Sequence, residues 1–292
     1  MKSKYLTIRP PVLIPVLFIL VAPGLGYSAD ESAGSIKVNA SRNSPLLDDP
    51  FSVSLGTFLL TTKTKISIDG TGGNSGTVID TKKDLGFKDA DRFRLDATWR
   101  FAPNHKVRAM YFSISQSNTQ MLDRDITVGD TVYPVNVEVT AKNSTSVYEL
   151  AYEYSFLRRD NYEITASAGL HAIDFGFSLS GVGTVNGQTG QARTETAGVT
   201  APLPVFGLRG LWEIAPKWYV DAQAQYFALK IDNIDGRITD LRAGVTYMPG
   251  RHWGVGAGYN RFVTTVGVNK NAFDGQLKWN YSGAQVFVTA SF

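Results

Sequence analysis

The feature that most constrains the fold is the strict two-residue alternation of Arg92–Phe101, RFRLDATWRF. Polar side chains such as Arg94 and Arg100 alternate there with apolar ones such as Leu95 and Trp99. A period of two residues predicts a β-strand with two unlike faces. In a soluble sheet the apolar face would pack on a core, whereas in a transmembrane barrel it would face lipid and the charged face would line a polar lumen.

The amino terminus has the composition of a cleaved secretory signal peptide. Basic residues precede a short apolar stretch, and small residues follow it up to Ala29. An N-terminal membrane anchor is the alternative, but Pro15 and the shortness of the apolar stretch argue against it. We therefore predict a signal peptide over 1–29, with the exact cleavage site left open, and a flexible lead-in over 30–50.

The charge balance of the exported chain is neutral. The whole sequence has 29 Lys and Arg against 26 Asp and Glu. Lys2, Lys4 and Arg9 leave with the predicted signal peptide, so 26 basic side chains remain against 26 acidic ones. This balance gives no support to nucleic-acid binding. The chain has no cysteine, which excludes disulfides, thiol chemistry and a lipid anchor on cysteine, and these properties suit a bacterial envelope protein.

Similar alternation recurs over 51–292 and predicts about ten strands, with eight or twelve as alternatives. The connections after the second, fourth, sixth and eighth strands are short, whereas loops over 69–90, 118–143 and 178–201 are long. Short turns at one end and long loops at the other are typical of an outer-membrane barrel with periplasmic turns and extracellular loops. A soluble β-sandwich gives no reason for such sorting. We therefore predict an all-β fold, an antiparallel transmembrane β-barrel over 51–292.

Aromatic side chains are concentrated beside the short turns. In a barrel they would form a girdle at the periplasmic interface, where their apolar rings contact lipid and their polar edges contact water. A sandwich core does not require aromatics at one end of its strands. The predicted girdle consists of Trp99, Phe101, Phe156, Tyr162, Trp212, Trp218, Tyr247 and Trp253.

The closing strand carries a further pattern, in which Val286, Val288 and Ala290 alternate up to a terminal Phe292. Together with the signal peptide, the tyrosine-rich strands and GVGAGYNRF (Gly254–Phe262), this ending resembles the small outer-membrane β-barrel proteins of Gram-negative bacteria, of the OmpA-transmembrane and OmpW-like type. The resemblance implies that these four residues form the assembly signal read by the barrel-assembly machinery. It implies no activity, because such barrels host channels, adhesins and enzymes.

One segment of the closing strand departs from this pattern. Leu277, Trp279 and Tyr281 are apolar but have the opposite parity to Val286. An extra residue in a strand switches its two faces, so we predict a β-bulge near 282–283.

Charged side chains on the lumen parity form the strongest candidate site. Because burying an isolated charge costs several kcal/mol, these side chains must pair or stay hydrated. Two interpretations stay open: a paired plug that makes the barrel rigid, or a narrow hydrated path whose ion preference the charges tune. Glutamates on nearby strands are the expected partners of the arginines in the opening stretch. The predicted network contains Arg92, Arg94, Asp96, Arg100, Glu149, Glu153, Glu163, Arg209, Glu213, Asp221, Asp240 and Arg242.

Catalysis has weak support in the sequence. His171 has the lumen parity and Asp174 follows three residues later, which would allow a general base oriented by a carboxylate, but a hydrogen-bonded structural histidine is the simpler interpretation. His105 and His252 fall in predicted periplasmic turns. No cofactor or metal site is predicted, because the acidic clusters of the loops lack the ligand spacing of a Ca²⁺ site.

Three classes of function follow from these observations. The first is a monomeric outer-membrane barrel with a structural role, or a narrow porin-like passive pore for small solutes or ions. The second is a surface adhesion or interaction protein that uses its extracellular loops. The third, least supported, is an outer-leaflet lipid-modifying enzyme built on His171. The expected partners are outer-membrane lipid and the barrel-assembly machinery, with no nucleic acid.

Overall fold

The computed structural model describes residues 44–70, 74–185, 188–231, 234–270 and 273–292. The predicted signal peptide over 1–29 lies outside them. No helix of the described part is long and apolar enough to cross a membrane. The described elements are, in chain order, α1 (Pro45–Asp48), β1 (Phe51–Ile68), β2 (Ile79–Asp80), β3 (Ala90–Ala102), β4 (His105–Met121), β5 (Ile126–Val128), β6 (Thr131–Tyr133), β7 (Glu138–Arg159), β8 (Tyr162–Val185), β9 (Gln188–Ala215), β10 (Trp218–Ile231), β11 (Ile234–Tyr247), β12 (Trp253–Lys270) and β13 (Phe273–Ser291).

All of these strands except the short β2, β5 and β6 build the wall of a closed antiparallel barrel. Wall strands pair with their neighbours along the chain, and β1 completes the cylinder by pairing with both β3 and β13. Closure leaves no unpaired strand edge, which lipid would not tolerate. The predicted all-β fold with ten wall strands is therefore confirmed. We call the end with the turns at 103–104, 160–161, 216–217 and 248–252 the lower end of the barrel.

The two faces of the wall differ as the alternation of β3 predicts. Phe93 on the outside is 78% exposed, whereas its neighbour Arg94 is 3% exposed inside the lumen. The aromatics of the predicted girdle all lie beside the lower turns, where Trp218 packs on Tyr247 with ring centroids 4.7 Å apart. The outer face is apolar over most of the wall, with exposed valine, leucine, phenylalanine and tyrosine side chains. A polar inside and an apolar outside are the arrangement of a barrel that lipid surrounds.

The predicted β-bulge near 282–283 is wrong. β13 pairs residue for residue with both β1 and β12 through this segment. Leu277, Trp279 and Tyr281 therefore keep the lumen parity, and all three are buried inside the barrel. The apolar residues of β13 change faces because the lining of the lumen changes from polar near the lower end to apolar near the upper end.

The upper end is more regular than the predicted loops suggest. Most of the predicted loop over 178–201 is strand, because β8 and β9 stay paired up to Val185 and Gln188. β8 has 24 residues and β9 has 28, whereas β10 and β11 have 14 each. At about 3.3 Å per residue the chain runs roughly 80 Å along β8 and about 46 Å along β10. The wall is therefore tall on the β8–β9 side and low on the β10–β11 side.

Two segments, 74–89 and 122–137, fold over the upper mouth as a cap. Leu85, Leu122 and Ile126 of these segments are fully buried and continue the apolar packing of the upper lumen. Arg124 joins the two segments, with its guanidinium 2.6 Å from the Asp84 carboxylate. This hydrogen bond raises the pKa of Arg124. The cap explains why these stretches look like loops in the sequence but are ordered in the fold.

Helix α1 covers the lower mouth. Leu47 is buried against Tyr219 and Met248, and the Ser44 hydroxyl lies 2.9 Å from the Tyr219 hydroxyl. The stretch Ser44–Pro50 thus differs from the flexible lead-in that the sequence predicts over 30–50, because Leu47 finds an apolar pocket at the barrel end. The rest of that predicted lead-in lies outside the described residues.

Candidate functional site: the filled lumen

The lower half of the lumen contains a network of buried ion pairs centred on Arg108. Its guanidinium donates to both oxygens of Glu149, at 2.6 and 3.1 Å, and to Glu153 at 2.8 Å. Gln225 adds a hydrogen bond of 2.7 Å to Glu149 from across the lumen. Bidentate pairing of this kind is the geometry that best offsets the cost of removing charges from water.

A second group of charges continues the network toward the lower end. Glu163 accepts hydrogen bonds from both terminal nitrogens of Arg100, at 2.8 and 2.9 Å, and from Lys106 at 2.7 Å. Lys106 also lies 3.5 Å from Glu153, which links this group to Arg108. Strands β3, β4, β7 and β8 therefore share one chain of alternating charges.

A third group lies on the other side of the lumen. Asp96 accepts from Arg94 at 2.8 and 3.1 Å and from Arg242 at 2.9 Å. Arg94 also donates to the side-chain oxygen of Asn260 at 3.2 Å, and Asn260 donates to Asp240 at 2.5 Å. Residues from β3, β11 and β12 are joined in this way across the barrel.

The structure brings most of the predicted lumen residues together, but not in every predicted pairing. Arg100 meets Glu163, whereas Arg94 pairs with Asp96 on its own strand. Glu149 and Glu153 are held by Arg108, which the sequence prediction left out. Arg209 lies 3.9 Å from Glu153, and Asp221 lies 4.0 Å from Arg242.

The described contacts of two further predicted members, Arg92 and Glu213, are of other kinds. Arg92 lies above the network and donates to the carbonyl of Ser115 at 2.9 Å. Glu213 lies near the lower mouth, and one of its carboxylate oxygens is buried with no hydrogen-bond partner among the described residues. The pairing of these two residues with other lumen charges stays a prediction.

Four polar residues of the network were not predicted. A parity argument could have found Arg108, because it shares the buried face of β4 with Met110 and Phe112. A charged Arg108 on the same face as two apolar side chains is inconsistent only with a lumen that is polar along its whole length. The omitted residues are Lys106, Arg108, Gln225 and Asn260.

A polar cavity of about 70 Å³ remains between the ion pairs and α1. Arg100, Asp221 and Arg242 line it, and each has a buried nitrogen or oxygen that no described residue hydrogen-bonds. The cavity is large enough and polar enough for several water molecules. Leu46 of α1 and the adjacent Asp49, together called the lower plug, line the same cavity.

His171 lies at the top of the charged network and is completely buried. Its Nε2 atom is 3.2 Å from Gln225 and 3.4 Å from Glu149. The predicted partner Asp174 does not contact it, because residues three apart in a strand lie on opposite faces; Asp174 instead accepts from Thr200 at 3.0 Å. A catalytic site for outer-leaflet lipid is not supported by a histidine enclosed on all sides.

One group of side chains in the lumen could in principle hold a metal ion. Glu149, His171 and Asp240 each place a ligand atom within 4.8 Å of the others. Against this, Arg108 and Gln225 already hydrogen-bond the oxygens of Glu149. A guanidinium in that position repels a cation, so the chemistry of this group favours a structural hydrogen-bond network.

The upper half of the lumen is filled by aromatic side chains. Tyr281 stacks on Phe262 at a centroid distance of 4.8 Å and meets Phe58 and Phe112 edge-on at 5.6 and 5.3 Å. Trp279 packs on Phe262 at 5.6 Å. Edge-on and stacked rings pack densely and leave no space for water. This aromatic layer contains the residues Phe58, Phe112, Phe262, Trp279 and Tyr281.

The remaining sequence predictions have the following positions. Val286, Val288 and Phe292 of the assembly signal are exposed on the outer face, and Ala290 is partly exposed. His105 and His252 lie at the lower turns, 2.5 Å from the Tyr152 hydroxyl and 2.9 Å from the Ser291 carbonyl. A Cβ at Gly256 would overlap the Phe287 ring, so a glycine at this position of β12 makes room for that side chain.

Comparison with known proteins identifies the architecture. No family profile matches the sequence, and no curated protein matches it either. The structure is similar to that of the outer-membrane protease OmpT from Escherichia coli, with 13% identity, a TM-score of 0.54, and coverage of 85% of this chain and 98% of that one. Matches to the attachment protein Ail of Yersinia pestis (13% identity, TM-score 0.31, 81% and 97% coverage) and the toluene transporter TodX of Pseudomonas putida (11%, 0.32, 86% and 94%) are weaker. The likeness to OmpT shows an outer-membrane type of β-barrel fold.

Proposed function

We propose that the protein is a monomeric, non-conducting and non-enzymatic β-barrel of the bacterial outer membrane, with a structural role. The lower turns face the periplasm, and the cap lies at the cell surface. The observation that carries this proposal is the aromatic layer, which fills the lumen directly above the ion pairs. Ion conduction needs a continuous hydrated path, and packed rings above with α1 below interrupt it.

Planar-bilayer recording tests this proposal. Purified protein, with its insertion checked by the protease resistance of its barrel, is expected to give no stepwise conductance. A variant that removes three rings of the aromatic layer, Phe112→Ala/Phe262→Ala/Tyr281→Ala, is expected to leak, whereas removal of outward rings in Phe93→Ala/Phe206→Ala/Tyr259→Ala is expected to leave the barrel closed. Stepwise conductance of the wild-type protein would refute the proposal that the barrel is non-conducting.

An interaction role at the cell surface is the second candidate, and the height of the wall favours it. The apolar band of an outer-membrane barrel is about 25 Å tall, whereas β8 and β9 are long enough to extend well above it. The upper part of this hairpin has exposed polar side chains such as Ser180 and Thr194, which hydrogen-bond each other at 3.0 Å. Deleting residues 178–196 should abolish cell attachment without unfolding the barrel if this role is correct. Unchanged attachment would exclude it.

A further inference from the structure

Basic side chains are concentrated on the outer face of β11 and of the strands that follow it around the wall, β12, β13 and β1. Each of these side chains is exposed and has the outward parity. None forms an ion pair with a described residue. We call this surface the basic ridge; it consists of Lys63, Lys65, Arg237, Arg261 and Lys278.

The strand register places three of these charges in one row. Lys65 is directly opposite Lys278, and Lys278 is opposite Thr265, which is in turn opposite Arg237. Adjacent strands are about 4.8 Å apart, so three cations lie within roughly 15 Å of one another. Lys63 follows on the same face of β1, two residues below Lys65.

Like charges directly opposite each other destabilise a sheet. Two described acids lie on this face: Asp235 is opposite Lys230 in the register of β10 and β11, and Asp80 is opposite Lys65 in the short pairing of β1 with β2, where it accepts hydrogen bonds from the backbone N–H groups of Lys82 and Lys83. Asp80 therefore offsets part of the charge of Lys65, whereas Lys278 and Arg237 have no described acid opposite them in the register. An anion bound between Lys65 and Lys278 would offset the remaining repulsion.

The height of the ridge matches the boundary of the apolar band. Trp253 of the lower girdle, on β12, is opposite Ala290 on β13. Lys278 is also on β13, twelve residues further from the lower end than Ala290. At about 3.3 Å per residue and a tilt of about 45°, this separation is roughly 28 Å along the membrane normal. An apolar band about 25 Å tall ends just below that level. The ridge would thus lie at the headgroups of the upper leaflet, with Arg261 reaching up from below by its long side chain.

The opposite side of the barrel lacks this feature. The outward side chains at the corresponding part of β4 and β7 are mostly serines, such as Ser113, Ser115 and Ser144. Lys142 is an exposed outward lysine on that side, whereas five basic side chains are grouped on β11, β12, β13 and β1, so a uniform need for solubility does not explain the grouping.

We infer that the basic ridge binds the phosphate groups of an anionic lipid in the outer leaflet, with Lys65, Lys278 and Arg237 as the primary contacts. Their ammonium and guanidinium groups suit phosphate oxygens. The acyl chains of that lipid would lie on the apolar face below, which includes Leu59 and Tyr259. The strands that carry the ridge are shorter than β8 and β9, and their outward side chains are exposed at headgroup level. The inference goes beyond the proposed structural role and requires only the transmembrane placement.

Native mass spectrometry of the purified barrel in detergent tests the inference, with phosphatidylglycerol, lipid A bisphosphate and phosphatidylcholine as probes. The wild-type protein should retain the two anionic lipids in preference to phosphatidylcholine. Lys65→Gln/Arg237→Gln/Lys278→Gln should weaken retention of lipid A bisphosphate by roughly 100-fold, since each basic residue near a membrane surface contributes about a fivefold gain and the three factors multiply.

Lys142→Gln is the matched control, because Lys142 is an exposed outward lysine near the upper end of β7, remote from the ridge. It should change retention by less than about twofold. Heat-modified electrophoretic mobility verifies that both variants are folded. Equal retention of phosphatidylcholine by the wild type, or equal loss in Lys142→Gln, would overturn the inference. Binding of inorganic phosphate by a barrel that retains none of the three lipids would also overturn the inference, because the ridge would then bind the free anion.

Discussion

The lower half of the lumen is filled by paired charged side chains, whereas the upper half is filled by aromatic rings. Below, Arg108 and Arg94 donate hydrogen bonds of 2.6 to 3.2 Å to three carboxylates, Glu149, Glu153 and Asp96, and to the side-chain amide of Asn260. Above, rings such as Tyr281 and Phe262 pack at centroid distances near 5 Å with no charged group among them. A barrel of this width must be filled by side chains. The comparison shows that filling and sealing are separate properties, because only the upper half excludes water.

The boundary between the two halves is narrow. Arg94 belongs to the charged network, yet its guanidinium carbon lies 5.9 Å from the centroid of the Phe58 ring. His171 touches Glu149 on one side and approaches the Phe262 ring at 5.8 Å on the other. Groups that carry both charge and a flat surface can join polar and aromatic regions. Arg94 and His171 therefore connect the two halves of the lumen.

The largest effect is expected in the charged half, from Arg108→Met. This change leaves Glu149 and Glu153 buried without their main partner, and breaking a buried pair in this way costs about 3–5 kcal/mol. The measurement is urea unfolding of the barrel in lipid vesicles. Arg159→Met, at an exposed lower turn, is the control and should change the free energy of unfolding by less than about 0.5 kcal/mol.

A triple variant, Arg108→Met/Glu149→Gln/Glu153→Gln, sharpens the same comparison. Removing both carboxylates together with their partner should recover a large part of the lost stability, because neutral side chains need no counter-charge. A triple variant as unstable as Arg108→Met alone would show that packing, and not charge, dominates in the lower half.

The second effect concerns the aromatic half, through Trp279→Ala. Truncating a fully buried aromatic side chain leaves a cavity and is expected to cost about 3 kcal/mol. The same vesicle assay measures it. Trp253→Ala, in the lipid-facing girdle, leaves no internal cavity and should cost clearly less; equal losses would contradict the distinction between inner and outer rings.

The outer face provides the third test. Leu95→Arg places a cation in lipid and should destabilise the barrel by about 2 kcal/mol, with less protein assembled into the membrane. Leu95→Met keeps the apolar character and is the control. Normal assembly of both variants, measured as the heat-modified fraction, would refute the assigned faces of β3.

The smallest effect is expected at the lower plug, outside the membrane-spanning segments. Burial alone would raise the pKa of Asp49, but hydrogen bonds from Arg251 and Ser291 outweigh it and lower that pKa. The carboxylate therefore stabilises the fold above about pH 4, and this contribution is lost as the pH falls through the lower pKa of the folded state.

Asp49→Asn should accordingly cost up to about 1 kcal/mol at pH 7 and much less at pH 2. Unfolding free energies at the two pH values give the difference, with the exposed turn residue Asp160 changed to Asn as the control. A pH-independent loss would mean that Asp49 contributes by packing alone.

The sequence by itself determined the wall of the barrel. The alternation of Arg92–Phe101 and its repetition predicted ten antiparallel strands, because a two-residue period has only one regular structural interpretation. It also placed Arg94, Glu149 and Asp240 inside the lumen. Parity decides which face a side chain occupies, and parity is a local property of the chain.

Only the tertiary structure decided what fills the lumen and what covers it. The parity of Leu277, Trp279 and Tyr281 looked like a bulge because a polar lumen was assumed throughout, and Arg108 was overlooked for the same reason. The partner of His171 proved to be Glu149, which is 22 positions earlier in the chain but adjacent in the sheet. Strand register and lumen depth bring such residues together, and neither is encoded in the local pattern of any single strand.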